Sequence, residues 1–447
     1  MIVMKFGGSS VESRATIGRL VSIVRDRIER RPVVVVSAMG KTTNRLLEIA
    51  AAAAGGRREE ALEQLGRLEE FHLREGGEAG GDVARHFAEL ADLVRGLAAL
   101  GELTPRSIDA ISSFGERISS RIVTRAFTDA GIEAAHMDAR QVIVTDSRHT
   151  EAAPLYAQCY ERLAAAIPPL AAGKVVVMGG FIGATEDGIT TTLGRGGSDF
   201  TAALAGAGIG AEEIQIWTDV DGMLTCDPRI RPGGRRLRTI SFAEAAELAY
   251  FGAKVLHPAT VLPAIEKNIP VLILNSRRPE VEGTRIVAER VPCMNPVKSI
   301  ACKPNITVVD IHSTRMLMAY GFLRRIFEVF DRFETPVDMV ATSEISVSLT
   351  IDNANSLPRI RAELEQFAEV SVESGQAIVC LVGDNIRSTP GIAGRAFRAL
   401  NGVNIRMISQ GASLLNLSFV VAGADLKRAL AALDEEFFSE LDPNVFE

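Results

Sequence analysis

The chain has 447 residues, of which 47% are apolar and 23% charged, and its formal net charge at pH 7 is −7. This size and composition allow two or three globular domains with buried cores, while the negative charge argues against nucleic acid or an anionic membrane surface as a partner. The five cysteines lack C-x-x-C spacing and no apolar run reaches membrane-spanning length, so we expect free thiols, no zinc site and a cytoplasmic protein without a signal peptide.

The first part of the chain, to about residue 291, alternates β-branched apolar runs with amphipathic helical stretches. This alternation predicts an α/β fold in which helices cover a mostly parallel sheet. A stretch rich in Ala, Glu and Arg, between about residues 50 and 103, predicts helices that lie outside the sheet. The buried strands are expected at 2–6, 32–37, 174–178, 214–218 and 270–274.

A turn of sequence Gly-Gly-Ser-Ser follows the first predicted strand at residues 7–10. Ser9 and Glu12 have capping-box spacing, which predicts that a helix opens here and continues to about residue 29. The amides of a helix N-terminus bind anions, and Lys5 at the end of the strand would add a point charge. The alternative is a solvated lysine beside an ordinary strand-to-helix turn.

Residues 37–44, SAMGKTTN, follow a strand of four valines and contain Gly-Lys-Thr. A phosphate-binding P-loop needs another glycine five residues before Gly40, and the sequence has Val35 there, so that motif is excluded. Ser37 and Thr43 remain candidate active-site contacts, with helix capping as the alternative.

In residues 113–117, SFGER, Glu116 stands beside a glycine at the head of a predicted helix. A carboxylate is costly to bury there unless a cation or an ammonium group binds to it. Taken alone, the motif favours the alternative, a solvated glutamate stabilised by the helix dipole.

Residues 190–199, TTTLGRGGSD, combine an arginine with three glycines, hydroxyl groups and a carboxylate. Glycine permits positive φ angles and lets amide groups approach an anion without interference from a Cβ atom. Arg195 adds a planar, permanently charged fork that suits a carboxylate or a phosphate. An isolated match of this kind could equally be a plain glycine-rich turn.

Residues 217–229, WTDVDGMLTCDPR, follow another predicted strand. The spacing lacks the final glutamate of an EF-hand calcium loop, so a nucleotide-binding loop fits better, with Thr218, Asp219 and Arg229 near base, ribose or phosphates. In residues 251–258, FGAKVLHP, we interpret Lys254 as a candidate phosphate ligand and His257 as structural.

A different order of predicted strands and helices follows an irregular, polar stretch at about 290–303. The order strand, helix, strand, strand, helix occurs twice, in units of about 70 residues, which predicts a repeated α+β sandwich of the ferredoxin-like kind. The first unit is expected at 306–311, 321–333, 336–342, 345–351 and 357–367, and the second at 377–382, 391–400, 403–409, 415–421 and 425–437.

Taken together, an ordered set of motifs that spans essentially the whole chain resembles the aspartate kinase family. The set comprises KFGGSS at 5–10, SAMGKTTN at 37–44, SFGE at 113–116, TTLGRGGSD at 191–199, TDVDG and CDPR within 218–229, and GAKVLHP at 252–258. Residues 316–323, 337–350 and 404–413 are similar to the paired ACT regulatory domains of that family. The resemblance is greatest to the monofunctional, lysine-sensitive branch, since nothing after the second repeat could be a fused homoserine dehydrogenase.

The resemblance implies the amino-acid kinase fold over residues 1–293, followed by two ferredoxin-like α+β ACT domains. The first would span 294–374 and be completed by a strand near 440–447, and the second would span 375–439. The implied reaction is ATP-dependent phosphorylation of the side-chain carboxylate of L-aspartate to 4-phospho-L-aspartate, the first step of the aspartate-family amino-acid pathway. Mg²⁺ would be bound through the ATP phosphates. A carboxylate is already ionised at neutral pH, so this chemistry needs no general base and no catalytic histidine.

The resemblance also assigns roles to residues. Lys5, Arg195 and Asp199 would be catalytic, with Arg195 also clamping the α-carboxylate of the substrate and Glu116 meeting its ammonium group. The aspartate pocket would comprise Ser37, Thr43, Glu116, Arg195 and Ser198. The ATP contacts would be Lys5, Gly7, Gly8, Ser9, Thr218, Asp219, Asp227, Arg229 and Lys254. One departure is Leu224, where many members carry an aromatic residue beside the nucleotide.

For regulation, the resemblance implies that an amino-acid effector, L-lysine, binds between ACT domains of two subunits. This implies a homodimer or a tetramer. The matching effector residues are Met316, Gly321, Phe322, Leu323, Asp338, Ser343 and Glu344. Asp338 and Glu344 could receive an ammonium group, while Ala319 stands where some lysine-sensitive members have a small hydroxyl residue.

Two alternatives remain open at this point. A sister kinase of the same fold could act on another acid, such as acetylglutamate or glutamate, although Glu116 suits a free amine. A catalytically inactive amino-acid sensor could use the two ACT domains to control a partner, although Lys5, Arg195 and Asp199 are all present.

Overall fold

The computed structural model describes residues 1–77, 80–252, 258–313 and 320–447. These residues form two compact units, the first containing 1–223 and 258–289 and the second containing 224–252 and 290–447. The structure thus groups residues 224–252, which lie inside the predicted catalytic domain 1–293, with the C-terminal unit. Among the described residues, no helix combines the length and the apolar character needed to cross a membrane.

The helices are, in chain order, α1 (Arg14–Arg25), α2 (Thr42–Ala54), α3 (Arg58–Gly76), α4 (Gly80–Leu100), α5 (Pro105–Ser112), α6 (Phe114–Asp129), α7 (Tyr156–Leu170), α8 (Gly197–Ile209), α9 (Phe242–Tyr250), α10 (Leu262–Glu266), α11 (Phe322–Arg332), α12 (Leu357–Leu364), α13 (Ile392–Ala399) and α14 (Leu426–Phe438). The strands are β1 (Ile2–Phe6), β2 (Pro32–Val36), β3 (Ala134–Met137), β4 (Val175–Gly179), β5 (Ile182–Ala184), β6 (Thr190–Thr192), β7 (Glu213–Thr218), β8 (Thr239–Ser241), β9 (Val271–Asn275), β10 (Thr284–Val287), β11 (Ser299–His312), β12 (Val340–Thr342), β13 (Ser346–Ile351), β14 (Glu369–Val382), β15 (Ile405–Gln410) and β16 (Asn416–Ala422).

A parallel sheet forms the centre of the first unit. Its strands lie in the order β3, β4, β2, β1, β7, β9 and β10, with every pair parallel except β9 and β10. Each predicted strand is present, with ends within one residue of the expected positions. The β-branched runs predict these strands well because a parallel sheet covered on both faces is apolar throughout, as in the fully buried run Val33–Val36.

The helices expected between about residues 50 and 103 lie outside the sheet. α3 and α4 pack against each other and against α2. Their buried faces contribute Leu65, Leu68, Phe87 and Leu90 to the same apolar core that covers the sheet. These helices therefore extend the apolar core of the first unit.

The predicted start of the first helix is wrong. Gly8–Ser10 form a single 3₁₀ turn, and α1 begins only at Arg14. Ser13 caps it instead of Ser9: the Thr16 amide donates to the Ser13 hydroxyl, and the Ser13 amide donates to the Thr16 hydroxyl. Because a threonine closes this capping box, the Ser-x-x-Glu pattern identified the wrong serine.

An antiparallel sheet forms the centre of the second unit, with strands in the order β12, β13, β11, β14, β16 and β15. The predicted order of strand, helix, strand, strand, helix occurs twice. The central strands β11 and β14 have 14 residues each and pair along nearly their whole length, so the two repeats share one sheet. Both strands are longer than predicted because register shifts between Pro304 and Val308, and a left-handed Gly375 with φ of 72°, break the alternating pattern.

The C-terminal segment does not form the strand that was expected to complete the first repeat. Phe446 forms a single bridge with Leu237, the Arg238 amide donates to the Val445 carbonyl, and the Glu447 amide donates to the Arg236 carbonyl. The segment therefore pairs with residues 236–238 and takes no position in the six-stranded sheet.

Candidate active site

A cleft of about 310 Å³ opens in the first unit where β1 and β2 end and α8 begins. Open parallel sheets bind their ligands at this carboxyl edge of the strands. Lys5 lies near the end of β1, Ser37 follows β2, and Asp199 lies in the first turn of α8. The predicted site residues that the structure brings together around the cleft are Lys5, Gly8, Ser37, Thr43, Glu116, Ser198 and Asp199.

The charged centre of the cleft is the pair formed by Lys5 and Asp199. The Lys5 Nζ atom lies 2.7 Å from Oδ1 of Asp199, and the two side chains are 12% and 14% exposed. The first turn of a helix favours a carboxylate, which suits the position of Asp199 in α8. The pair holds the Lys5 ammonium group at the wall of the cleft, where it could bind a phosphoryl group.

Glu116 is a buried carboxyl group in the cleft whose ionisation is unfavourable. Its side chain is buried, with 3% of the residue exposed, and Oε1 accepts a hydrogen bond from the Ala38 amide at 3.0 Å. Oε2 is also buried, and no partner for it occurs among the described residues. Burial raises the pKa of Glu116 to about 8, against an ordinary value of 4.5. An unsatisfied buried carboxyl group of this kind is a site for a cation, and it is not the solvated glutamate that the local motif favoured.

Hydroxyl groups complete the wall of the cleft. The Ser37 hydroxyl donates to the Ser198 hydroxyl at 3.0 Å, which joins the end of β2 to the start of α8. Gly180 allows this approach, because a Cβ atom on it would lie only 2.7 Å from Cβ of Ser198. Thr43 also lines the cleft, from the first turn of α2.

The glycine-rich segment behaves as its composition predicts. Gly194 and Gly196 have φ angles of 72° and 74°, which favour glycine, and α8 begins directly after them. Both glycines line the cleft, while Arg195 between them is exposed and has no ion pair or hydrogen bond within the described part of the chain. The structure therefore brings the backbone of this segment to the cleft, whereas the predicted substrate ligand Arg195 is not among the residues that line it.

The turn after β1 lies close to the backbone that follows β2. The Gly40 amide donates to the Gly8 carbonyl at 3.1 Å, and a Cβ atom on Gly8 would lie 2.9 Å from the Gly40 carbonyl oxygen. The Gly7 amide donates to the Trp217 carbonyl, and Ser9 lies in the 3₁₀ turn. Only glycine fits at position 8, which brings this turn to the cleft.

The predicted nucleotide contacts are more dispersed. Thr218 and Asp219 stand at the end of β7, where the Thr218 hydroxyl donates to Asp219 at 3.2 Å, but neither lines the cleft. Asp227 and Arg229 belong to the second unit and form an ion pair at 2.6 Å. Lys254 and His257 lie outside the described residues. The ATP-contact roles of these residues stay predictions.

The predicted effector residues lie in the second unit. Gly321 precedes α11, which begins with Phe322 and Leu323, while Ser343 and Glu344 are exposed after β12. Met316 and Ala319 lie outside the described residues.

Asp338 already has a partner that the sequence did not reveal. Oδ1 of Asp338 accepts a hydrogen bond from Lys303 at 2.7 Å, and Lys303 also contacts Asp352 at 2.8 Å. Burial nevertheless raises the pKa of Asp338 above its ordinary value, against the opposing effect of Lys303. The Lys303 ammonium group therefore pairs with the Asp338 carboxylate, which was expected to receive the ammonium group of an effector.

The sequence analysis also missed Asp109, which supports the glycine-rich segment. This residue of α5 is fully buried and accepts hydrogen bonds from the Thr150 amide at 3.0 Å, from Nδ1 of His149 at 2.7 Å and from the Thr192 hydroxyl at 2.5 Å. Thr150 is held at a φ of 74°, and its carbonyl oxygen would lie 3.3 Å from a Cβ atom on Gly194. Asp109 thus fixes the loop on which Gly194 rests, and no motif marks it.

The sequence matches two families of known proteins. Residues 1–275 match the sequence model of the amino acid kinase family, and residues 379–437 match that of an ACT domain. Aspartokinase 2, chloroplastic, of Arabidopsis thaliana is 40% identical over 99% of this chain and 85% of its own length. Lysine-sensitive aspartokinase 3 of Escherichia coli (strain K12) is 36% identical over 98% of this chain and 99% of its own length.

Solved structures give the same match. E. coli aspartokinase III in complex with aspartate and ADP superposes with a TM-score of 0.84 at 34% identity, covering 98% of this chain and all of that chain. The complex of that enzyme with lysine and aspartate superposes with a TM-score of 0.86, at the same identity and coverage.

Proposed function

The chain belongs to the aspartokinases of the amino acid kinase family, and from this premise we propose that it transfers the γ-phosphoryl group of ATP to the side-chain carboxylate of L-aspartate. The observation that carries the proposal is a single cleft that holds a paired ammonium group, Lys5, and an unsatisfied buried carboxyl group, Glu116. One suits a phosphate and the other suits the ammonium group of a free amino acid.

The acceptor carboxylate needs no base, because its pKa near 4 leaves it ionised at neutral pH. The enzyme must instead bring two anions together and stabilise charge on the transferring phosphoryl group. Lys5 would supply a positive charge to the phosphates, and Asp199 would hold the lysine in place through the 2.7 Å contact. The amides in the first turn of α8 face the same cleft and would add oriented dipoles.

Recognition of the amino acid would use two opposite charges. Glu116 would accept the substrate ammonium group, and Arg195, an exposed residue between the cleft-lining Gly194 and Gly196, would clamp the α-carboxylate. Ser37, Thr43 and Ser198 would line the pocket for the side chain. We assign Asp109 a positioning role, because it holds the Thr150 loop against Gly194 and thereby the segment that carries Arg195.

We propose that Mg²⁺ accompanies ATP and is bound through its phosphates, where it would supply charge neutralisation. The polar groups of the cleft fit such an ion, because the Ser37 and Ser198 hydroxyls and the Asp199 carboxylate are oxygen donors of the kind that Mg²⁺ prefers. Gly7, Gly8 and Ser9, with Thr218, Asp219, Asp227, Arg229 and Lys254, are the proposed contacts of the nucleotide.

For regulation, we propose feedback inhibition by L-lysine through the ACT repeats, with a homodimer formed through these repeats. The E. coli relative is named lysine-sensitive, and its solved complex contains lysine. Lysine would compete with Lys303 for Asp338, since both present an ammonium group. We further propose a cytoplasmic location, because all five cysteines are free thiols, as a reducing compartment would keep them.

The test is ADP release with Mg·ATP and, in parallel, L-aspartate, L-glutamate or N-acetylglutamate, each with and without L-lysine. Turnover with L-aspartate alone, suppressed by lysine, is expected. N-acetylglutamate lacks an ammonium group and would leave Glu116 unpaired, so it should not react. Activity with that acid would instead favour a sister kinase, and no activity with any acid would favour a sensor protein.

A further inference from the structure

A second cleft lies beside the catalytic one in the first unit. It opens at the carboxyl ends of β3 and β4, and its cavity volume is about 30 Å³, against about 310 Å³ for the catalytic cleft. Carboxyl ends of parallel strands are where α/β sheets bind ligands. The polar groups that line it come from α4, α6, β3 and the turn after β3, and are His86, Arg117, Ser120, Arg121, His136, Asp138 and Arg140.

The charge in this second cleft is positive and only partly compensated. Three guanidinium groups line it with a single carboxylate, Asp138, which pairs with Arg140 at 2.6 Å. Arg117 pairs with Glu89 at 2.9 Å, yet its Nε atom is buried without a hydrogen-bond partner among the described residues. Arg121 has neither an ion pair nor a hydrogen bond within the described ranges. Unmatched guanidinium donors are costly to bury unless an anion binds to them.

Neutral hydrogen-bonding groups accompany the arginines. Nε2 of His136 lies 3.0 Å from the Ser120 hydroxyl. Burial, helped by Arg121, lowers the pKa of His136 to about 4, and burial with the charge of Arg117 lowers the pKa of His86. At neutral pH the imidazoles are therefore uncharged, and the arginines carry the positive charge of the second cleft.

We propose that this second cleft binds a small divalent oxoanion, of the size and charge of phosphate or sulfate, with Arg117 and Arg121 as its charged ligands. Planar guanidinium groups match the paired oxygens of such anions, and Ser120 and His136 lie within the same cleft to add hydrogen bonds. The space is too small for a nucleotide. Anion binding at this site does not depend on whether the proposed kinase activity is correct.

The second cleft is coupled by its geometry to the catalytic cleft. Helix α6 carries Glu116 into one cleft and Arg117, Ser120 and Arg121 into the other. Gly179 lines the second cleft, and a Cβ atom on it would lie 3.0 Å from Glu116. A bound anion would tie α6 to the turn after β3 and so hold the helix that positions Glu116.

The proposal is tested by thermal unfolding in phosphate, in sulfate and in chloride at matched ionic strength, with ADP and L-aspartate present to fill the catalytic cleft. Phosphate and sulfate are expected to raise Tm with saturation, beyond the effect of chloride. Arg121→Gln should lose this saturable rise, and Arg121→Lys should keep part of it, since it retains the charge without the fork.

The matched control is Arg125→Gln, which removes an arginine one turn further along α6 that pairs with Asp129 and is 45% exposed. It should keep the full rise, because general salt effects act on both variants alike. An equal rise in wild type and Arg121→Gln, or no rise in wild type, would overturn the proposal. If Arg121→Gln does not fold, wild-type crystals soaked in selenate provide the test. An anomalous peak between Arg117 and Arg121 would support the site. A peak only elsewhere, or an adventitious ion only, would refute it.

Discussion

Replacing Glu116 by glutamine tests how the cleft recognises an amino acid. The rise in the pKa of Glu116 from 4.5 to about 8 corresponds to about 5 kcal/mol for ionising this group in the empty cleft. At pH 7, one unit below that pKa, ionising the group costs only about 1.4 kcal/mol, and an ammonium group at about 3 Å returns about 5 kcal/mol at an effective dielectric constant of about 20. Substrate binding and ionisation of Glu116 therefore occur together, with a net gain of about 3 to 4 kcal/mol. The amide of glutamine keeps the shape and loses this attraction, which should weaken aspartate binding by about 3 kcal/mol, or about 100-fold.

Two assays follow from this coupling. Steady-state kinetics should show a rise of about 100-fold in KM for aspartate, with KM for ATP nearly unchanged. Calorimetry at pH 7 in buffers of different ionisation enthalpy should show close to one proton released per aspartate bound by the wild-type protein, because a carboxyl group with a pKa of about 8 starts protonated. The glutamine variant should release none. Equal proton release in both proteins, or an unchanged KM for aspartate, would refute the role of Glu116.

Four further outcomes are expected. Because the folded-state pKa of Glu116 is raised, its contribution to stability is fully present below pH 4.5 and is lost as pH rises through about 8. In urea unfolding without ligands, the Glu116→Gln variant should lack this decline in the free energy of unfolding. A decline equal to that of the wild-type protein would contradict this expectation. Lys5→Ala should lower kcat by at least about 10³-fold with lysine binding unchanged by calorimetry, and normal turnover would refute the catalytic role. Asp109→Asn should raise KM for aspartate about 10-fold while KM for ATP stays constant, whereas the exposed control Asp82→Asn changes neither; equal effects on both substrates would indicate general destabilisation. Asp338→Ala should abolish lysine inhibition and spare catalysis, while Lys303→Gln should increase sensitivity to lysine, and inhibition curves that match wild type in both variants would reject the effector site.

Much of the cleft could be predicted because its residues carry local signals. Lys5 and Ser37 stand near the ends of β-branched runs, and Glu116 and Asp199 stand at the heads of helices. In a parallel sheet such ends meet at one edge, so strand prediction already places these side chains close together. The positive φ angles of Gly194 and Gly196 were likewise implied by composition.

Other features depend on pairings between distant segments, for which the sequence carries no local pattern. Asp109 meets Thr150 and Thr192 across 41 and 83 residues, and Lys303 meets Asp338 across 35. The burial that makes Glu116 unusual also comes from packing, since its motif alone is typical of a solvated helix start. Strands β11 and β14 were predicted too short because each is irregular near its centre. Only the pairing of the two strands with each other shows that each is continuous.

The most direct test of the central claim is to identify the phosphorylated product. Incubation with Mg·ATP, L-aspartate and hydroxylamine traps an acyl phosphate as a hydroxamate, and mass spectrometry with fragmentation distinguishes the side-chain derivative from the α-derivative. The account predicts the side-chain hydroxamate of aspartate in the wild-type protein and none in Lys5→Ala. An α-hydroxamate, a hydroxamate formed from N-acetylglutamate, or equal product in Lys5→Ala would contradict it.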